Sequence, residues 1–119
     1  MQLTEHVAMY LESHGLPCCV NASLPAAPDE AIAVVATDLR PPADSMGSRF
    51  QVLARGRRGE DSALDVSSRV MSLLVGFCGL YDPKSPLILR TQLEGGAARV
   101  ETDAKGRITY SMNFRVWHI

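Results

Sequence analysis

The sequence predicts an α+β fold, in which a mostly antiparallel, twisted sheet of about four to six strands carries two main helices on one face. The last segment, Ile108 to Val116, alternates apolar and polar residues, as an antiparallel strand with one buried face does. Two other stretches repeat apolar residues at helical spacing instead. We expect the order α-β-β-β-α-β-β in a single domain spanning residues 1–119.

The stretch from Arg49 to Phe77 contains the central strand and the main helix. Phe50, Val52 and Ala54 share one face of the strand, and a turn is expected at residues 56–59. Ser62 and Asp65 have the spacing of a capping box at the start of the helix. The apolar stripe of the helix comprises Val66, Val70, Leu73, Leu74 and Phe77, and the residues expected to face away from it are Ser67, Ser68, Arg69 and Ser72. This stripe predicts that the helix packs on the sheet.

The elements before this stretch follow from local patterns. A helix is predicted from about Gln2 to His14, because Gly15 and Pro17 stop it. A short strand is predicted at residues 18–21, and residues 31–37, which are apolar on both faces, predict a strand covered on both sides. Prolines and glycine predict surface loops at residues 23–28 and 39–47.

After the main helix we expect a loop at Tyr81–Pro86 and then two strands. The first runs from Leu87 to Leu93, with Leu87, Leu89 and Leu93 on one face, and Gly95-Gly96 breaks or bulges it. Residues 99–102 and 107–110 can pair as a hairpin, in which the late glycine of the turn at 103–106 suits a bulged turn.

Composition and charge exclude several classes of function. The 119 residues are 46% hydrophobic and 21% charged, with a net charge of −1, which gives no reason to expect a partner among nucleic acids or anionic membranes. No apolar run is long enough to span a bilayer, and the N-terminus lacks the pattern of a signal peptide. The three cysteines, two of them adjacent, form a poor disulfide framework and are typical of a reducing cytoplasm.

Neither a catalytic site nor a metal site emerges from the motifs. A cysteine nucleophile needs a base, and three histidines are available for Cys18, Cys19 and Cys78, but no known local motif surrounds them. Burial as small hydrophobic residues is the simpler interpretation of these cysteines. The nearest approach to a zinc pattern is His14 with Cys18 and Cys19, without the usual spacing. We predict no cofactor, no metal and no enzymatic activity.

Two candidate interaction patches remain. One is the loop at residues 39–47 together with a basic turn, which is either a solvated turn or a contact for an acidic partner or passing phosphates. The other is the polar face of the last strand with Trp117, a residue that is either an interaction anchor or a half-buried strand end. The candidate residues are Arg40, Met46, Arg55, Arg57, Arg58, Thr109, Ser111, Asn113, Arg115 and Trp117.

Four segments in this order resemble a known family. They are YLESHGL at the end of the first helix, LPAAPDEAIAVVAT, the passage RFQVLARGRRGEDSALDVSSRVMSLL, and the closing DAKGRITYSMNFRVWHI. Together they resemble the phage minor capsid and tail-completion proteins related to the tail terminators of long-tailed phages. The similarity covers nearly the whole chain and includes no catalytic signature.

The resemblance implies a structural role in virion assembly. Proteins of this family form a ring, often six-fold, on the head-proximal end of the tail tube, where they stop tube growth and help to join the head. The implied partners are further copies of the chain, the tail-tube protein and a head-completion protein, and the isolated chain is either a monomer or a ring. The implied location is the host cytoplasm during assembly and then the virion tail. The alternatives are a head–tail connector adaptor and a small cysteine–histidine hydrolase or nucleic-acid-processing enzyme.

Overall fold

The computed structural model describes residues 2–79 and 87–119. In chain order the elements are helix α1 (Leu3–Ser13), strands β1 (Cys18–Val20), β2 (Ala31–Asp38) and β3 (Ser48–Arg58), helix α2 (Glu60–Leu74), and strands β4 (Ile88–Thr102) and β5 (Arg107–His118). The predicted α+β class and element order are therefore confirmed. The loop predicted at Tyr81–Pro86 lies outside the described residues. Within the described residues, no helix is long and apolar enough to cross a membrane.

The five strands form one sheet in the order β1-β2-β3-β5-β4. Strand β1 runs parallel to β2, and every other neighbouring pair is antiparallel. The central pair is β3 with β5, in which Phe50 lies opposite Phe114 and Val52 lies opposite Met112. Because side chains alternate along a strand, this register places the apolar residues of both strands on the same face.

Both helices pack on that apolar face. Helix α1 contacts β1 and β2, whereas α2 contacts β3, β4 and β5. The rings of Phe50 and Phe114 stack with their centroids 5.3 Å apart in the buried core. Leu11 from α1 and Leu74 from α2 are fully buried against the same cluster. Each large apolar side chain buried here stabilises the fold by roughly 1.5–3 kcal/mol relative to an exposed one.

The approach of α2 to β3 is closest at Gly56. A Cβ atom placed on Gly56 would lie 2.2 Å from the backbone nitrogen of Ala63 and 2.6 Å from its Cα. These atoms belong to the backbone in the first turn of α2, so they cannot rotate away. Only glycine at this position lets the chain turn from the strand and lay the helix directly against it.

The start of α2 differs from the prediction. The helix begins at Glu60, its N-cap is Gly59, and no side chain caps it. Ser62 lies inside the first turn, where its hydroxyl accepts the N–H of Arg57 at 3.0 Å and donates to Glu30 at 3.0 Å. The predicted capping box at Ser62 is therefore wrong. Strand β3 continues to Arg58, and α2 begins at Glu60, before Ser62 is reached. Ser67, predicted to face away from the core, is buried.

Strand β4 corrects a second prediction. Leu89 is 53% exposed and Leu87 is also exposed, whereas Ile88 is fully buried. The register of β4 against β5 shifts between Ile88 and Arg90, and such a shift moves side chains to the opposite face. A second shift, between Glu94 and Ala98, accommodates Gly95-Gly96 as a bulge inside one continuous strand. The prediction that Leu87, Leu89 and Leu93 share one face is therefore wrong, since Leu93 lies opposite the buried Phe114 and packs against the core.

We predict that Gly56→Ala destabilises the fold by about 1–3 kcal/mol, the usual cost of overpacking, because its Cβ would overlap the backbone of Ala63. The free energy of unfolding in urea would measure this. Gly96→Ala is the matched control, since a Cβ at Gly96 meets nothing within 4 Å. Equal stability of the two variants would contradict the close approach described above.

Candidate protein-interaction surface

The face of the sheet opposite the helices carries most of the candidate residues. On β3 this second face presents Arg49, Gln51, Leu53 and Arg55, and on β5 it presents Arg107, Thr109, Ser111, Asn113, Arg115 and Trp117. The two loops at residues 21–30 and 39–47 hydrogen-bond to opposite ends of this face. They determine which of its residues remain exposed.

At one end, two buried arginines hold the first loop. Arg55 is 6% exposed and donates to the carbonyl oxygens of Pro25 at 2.6 Å, Pro28 at 2.9 Å and Asp29 at 2.9 Å. Arg107 donates to the carbonyl of Ala26 at 2.7 Å and also pairs with Asp29 at 3.2 Å. The planar guanidinium groups thus satisfy the carbonyls of a loop that has no partner strand.

Acidic groups balance these two cations. Asp103 lies 2.7 Å from the Nε of Arg107 and also accepts its backbone N–H at 2.9 Å. Desolvation opposes ionisation of Asp103, but the hydrogen bonds from Arg107 outweigh it, so the pKa of this carboxyl is lowered. Burial, and then the neighbouring charge of Arg107, lower the pKa of Arg55. We interpret this cluster as a structural clasp.

Three of the candidate residues at this end and the middle of the face are buried. Arg55, Thr109 and Ser111 are each less than 7% exposed. Arg57 and Arg58, which follow Arg55, are exposed. They lie beside the turn between β4 and β5, where the Cγ of Arg58 packs against Gly106. With Lys105 and Arg99 they form what we call the basic end, and these four residues have no ion pair within the described residues.

At the other end, the second loop is fixed to β5. Arg115 donates to the carbonyl of Met46 at 3.0 Å, and the indole N–H of Trp117 donates to the carbonyl of Ser45 at 3.0 Å. The backbone N–H of Ala43 also donates to the carbonyl of His118 at 2.8 Å. We call residues 39–47 with Arg115 and Trp117 the loop platform. Trp117 is partly buried, and the guanidinium of Arg90 lies 5.3 Å from its ring centroid.

Gly47 and His118 complete the attachment of the loop. Gly47 has φ +71°, and a Cβ on it would lie 2.8 Å from the carbonyl oxygen of Val116. The hydroxyl of Ser48 accepts the backbone N–H of Arg40 at 2.8 Å and lies 3.0 Å from the Nε2 of His118. Burial lowers the pKa of His118 below its ordinary 6.5. The structure with the loop attached therefore favours the neutral form of the His118 imidazole.

An ion-pair network borders the loop platform. Glu94 on β4 contacts the Nε of Arg49 at 3.3 Å and the Nη2 of Arg115 at 3.2 Å. Asn113 is exposed beside them, and with Thr37, Arg49 and Glu94 it lines a shallow concavity. Arg40 pairs with Asp38 at 3.2 Å. Both exposed and half-buried polar groups thus surround the platform, as in the polar rim of a protein contact.

The structure groups the candidate residues differently from the prediction. We expected the loop at 39–47 to lie with the basic turn, but it packs on Arg115 and Trp117 of the last strand. Arg57 and Arg58 lie at the opposite end of β3. Sequence reasoning missed Arg107, Asp29 and Glu94, since each acts through a partner on a distant segment. The pairing of β3 with β5 places Arg58 opposite Arg107, next to the turn that contains Lys105. Recognising this pairing in the sequence would have indicated that these cations lie at the same end of the sheet.

The thiol of Cys18 is not activated as a nucleophile. Burial, followed by the nearby charges of Glu12 and Cys19, raises the pKa of the Cys18 thiol to about 12. A nucleophilic cysteine needs the opposite shift. Within the described residues, no group of three His, Cys, Asp or Glu side chains is placed to hold a metal ion.

Comparison with known proteins identifies a family. The family model described as "Bacteriophage tail terminator protein" matches residues 7–116, which is nearly the whole chain. No curated protein matches the sequence. The match includes every helix and strand described above, from within α1 to within β5.

We predict that Arg55→Lys destabilises the protein by about 1.5–3 kcal/mol, because an ammonium group cannot donate to three carbonyls in the fixed geometry of the guanidinium. Urea unfolding measures the loss, and proteolysis within residues 21–30 should also become faster. Arg57→Lys, an exposed neighbour, should stay within about 0.5 kcal/mol of the natural protein. Equal losses in both variants would contradict the clasp.

We also predict that stability falls as the pH decreases below about 6.5, because the unfolded chain then binds a proton at residue 118 that the folded chain still excludes. The slope from this one group cannot exceed about 1.4 kcal/mol per pH unit. Urea unfolding at about pH 7.5 and 5.5 gives the difference, which His118→Gln should reduce. His14→Gln, which removes an exposed histidine, is the control. Identical pH dependence in the natural protein and His118→Gln would refute this assignment.

Proposed function

This chain belongs to the bacteriophage tail terminator family, and we propose that it caps the tail tube as a ring, ends tail polymerisation and helps to join the tail to the head. Family membership makes it a structural protein of phage tail assembly. The ring, the cap and the head joint are the proposal. The match over residues 7–116 is the observation that carries it, since it runs from within α1 to within β5 and so includes part or all of every element.

The loop platform is the surface that we assign to contact with another virion protein. Leu39 is 56% exposed and Met46 is 51% exposed, at the two ends of a loop whose backbone is held by Arg115, Trp117 and Ser48. A loop already held in one conformation loses little entropy on binding. Most of the free energy gained by burying its exposed apolar side chains can then contribute to affinity.

We assign the loop platform to the tail-tube protein and leave the contact with the head-completion protein to another surface. The proposed partners are thus further copies of the chain, the tube and the head-completion protein. The proposed sites of action are the host cytoplasm during assembly and the head-proximal end of the tail afterwards. The role needs no chemistry, and the raised pKa of Cys18 fits a non-catalytic protein.

We predict that the purified protein shortens and caps tubes grown from the tail-tube protein, as electron microscopy of tube lengths would measure. The double variant Leu39→Glu, Met46→Glu should lose capping, because each carboxylate would have to be desolvated in the joint. Leu64→Glu, which alters an exposed apolar residue on α2, is the matched control and should cap normally.

Two outcomes would count against these assignments. Natural protein that leaves tube length unchanged would refute the capping function and would favour the adaptor alternative if it still bound head components. A double variant that caps as well as the natural protein would refute the role of the loop platform alone.

A further inference from the structure

The sheet has two unlike open edges. Among the described strands, β1 forms one edge and pairs with β2, while β4 forms the other edge and pairs with β5. A ring of identical subunits requires a head-to-tail contact between two different patches of each subunit. Two different edges of one sheet meet this requirement, whereas two copies of the same edge would give a closed pair.

The free part of the β4 edge is its second half. Near its start, the outer side of β4 is covered, since Gly79 pairs with Ile88 and the N–H of Gly76 donates to the carbonyl of Thr91. From Ala98 to Thr102, by contrast, five successive residues are exposed. The register against β5 shifts between Arg99 and Glu101, so Val100 is the extra residue of a bulge, and it is 55% exposed. An edge segment exposed on both faces offers unpaired backbone groups and an apolar side chain to an incoming strand.

The β1 edge lies beside two concavities. A cavity of about 230 Å³ is lined partly by Leu16, Pro17, Ile32 and Val66. A smaller one of about 170 Å³ is lined partly by Pro17 and the two cysteines of β1, Cys18 and Cys19. Their walls are mostly apolar, and a protruding valine side chain from a neighbouring edge could enter them. The β1 edge therefore offers backbone groups for strand pairing and a concavity for an apolar side chain.

The charges of the two edges are complementary. Glu12, which accepts the N–H of Cys18, and Glu30, which lines both concavities, flank β1, and they outnumber the one cation of the first concavity, Arg69. Neither carboxylate has an ion pair within the described residues. The opposite edge ends at the basic end defined above, whose four cations exceed the nearby acids, Glu101 and Asp103, the second of which already pairs with Arg107. Opposite charges on the two edges favour unlike contacts and disfavour like ones.

We propose that the Ala98–Thr102 segment of one subunit adds to the β1 edge of a second copy, so that the sheet continues from subunit to subunit around the ring. Val100 enters the concavity beside Cys18 and Cys19, and the basic end faces Glu12 and Glu30. Strand addition positions the joint, and the side chains beside it supply the rest of the roughly 1,000 Å² that a stable contact needs. This inference rests on the proposed ring and names its joint.

The natural cysteines of β1 make the joint testable by cross-linking. Within one subunit, β2, β3 and β5 separate β1 from β4, so a short cross-linker cannot join Cys18 or Cys19 to position 100 of the same chain. The experiment uses the Val100→Cys, Cys78→Ser variant, treated with a short bismaleimide while it caps tail tubes. Ser68→Cys, Cys78→Ser is the matched control, because Ser68 is exposed on α2 and belongs to neither edge strand.

We expect a covalent ladder up to the full ring from Val100→Cys, with peptides that link position 100 to Cys19, because the raised pKa of Cys18 makes its thiol slow to react. A formed joint holds the two thiols at an effective concentration of about millimolar, so linkage should be roughly tenfold or more faster than in the Ser68→Cys control. Glu12→Lys, Glu30→Lys added to Val100→Cys should abolish the ladder through repulsion by the basic end.

The remaining outcomes overturn the proposal, and they separate it from the proposed function. Tubes that are capped normally without this linkage, or with position 100 linked to the tube protein, refute the joint and leave capping intact. A protein that stays monomeric and never caps refutes the ring and the joint together. A ladder without capping supports the joint and refutes the function.

Discussion

The pairing of β3 with β5 is the constraint on which the other elements depend. Its register, with Phe50 opposite Phe114 and Val52 opposite Met112, directs one row of apolar side chains from each strand to the same face. Both helices are held there by burial, and α2 comes close enough to exclude any side chain at Gly56. The same register necessarily directs the polar rows of both strands to the second face, which neither α1 nor α2 covers.

On the second face, hydrogen bonds from arginines hold the loops in place, whereas apolar burial holds the helices on the first face. Arg55 and Arg107 bind the carbonyls of the loop at residues 21–30, and Arg115 with Trp117 binds those of the loop at residues 39–47. The two loops differ in what they leave exposed. The first lies against the buried Arg55 and Arg107, whereas the second presents Leu39 and Met46 to solvent. Exposed apolar side chains therefore lie on the loop platform at one end of this face, and the exposed cations of the basic end lie at the other.

The two proposals assign different surfaces of the subunit to different partners. The loop platform would meet the tube, and the two open edges of the sheet would meet neighbouring copies. This division is physically reasonable, because edge pairing uses backbone groups and fixes orientation, while exposed apolar side chains on a held loop contribute affinity. The family match supports a structural role in the tail, and neither assignment requires a reactive group.

The sequence by itself determined the features that local patterns encode. The alternation from Ile108 to Val116, the late glycine of the turn at residue 106 and the stop at Gly15 predicted elements that the structure contains. The order of helices and strands followed from them, and the resemblance predicted the family. The segments of the candidate surface were also found, since polar strand faces and proline-rich loops can be recognised from a few neighbouring residues.

Only the tertiary structure decided which of those residues are exposed and which belong together. Arg55 resembles its neighbour Arg57 in sequence, yet it is buried because its three acceptor carbonyls lie 26–30 positions away along the chain. Leu89 and Ile88 exchange faces at a register shift that no local pattern marks. Both outcomes depend on hydrogen bonds between distant segments, and the partner in such a bond is set by the packing of the whole sheet rather than by adjacent residues.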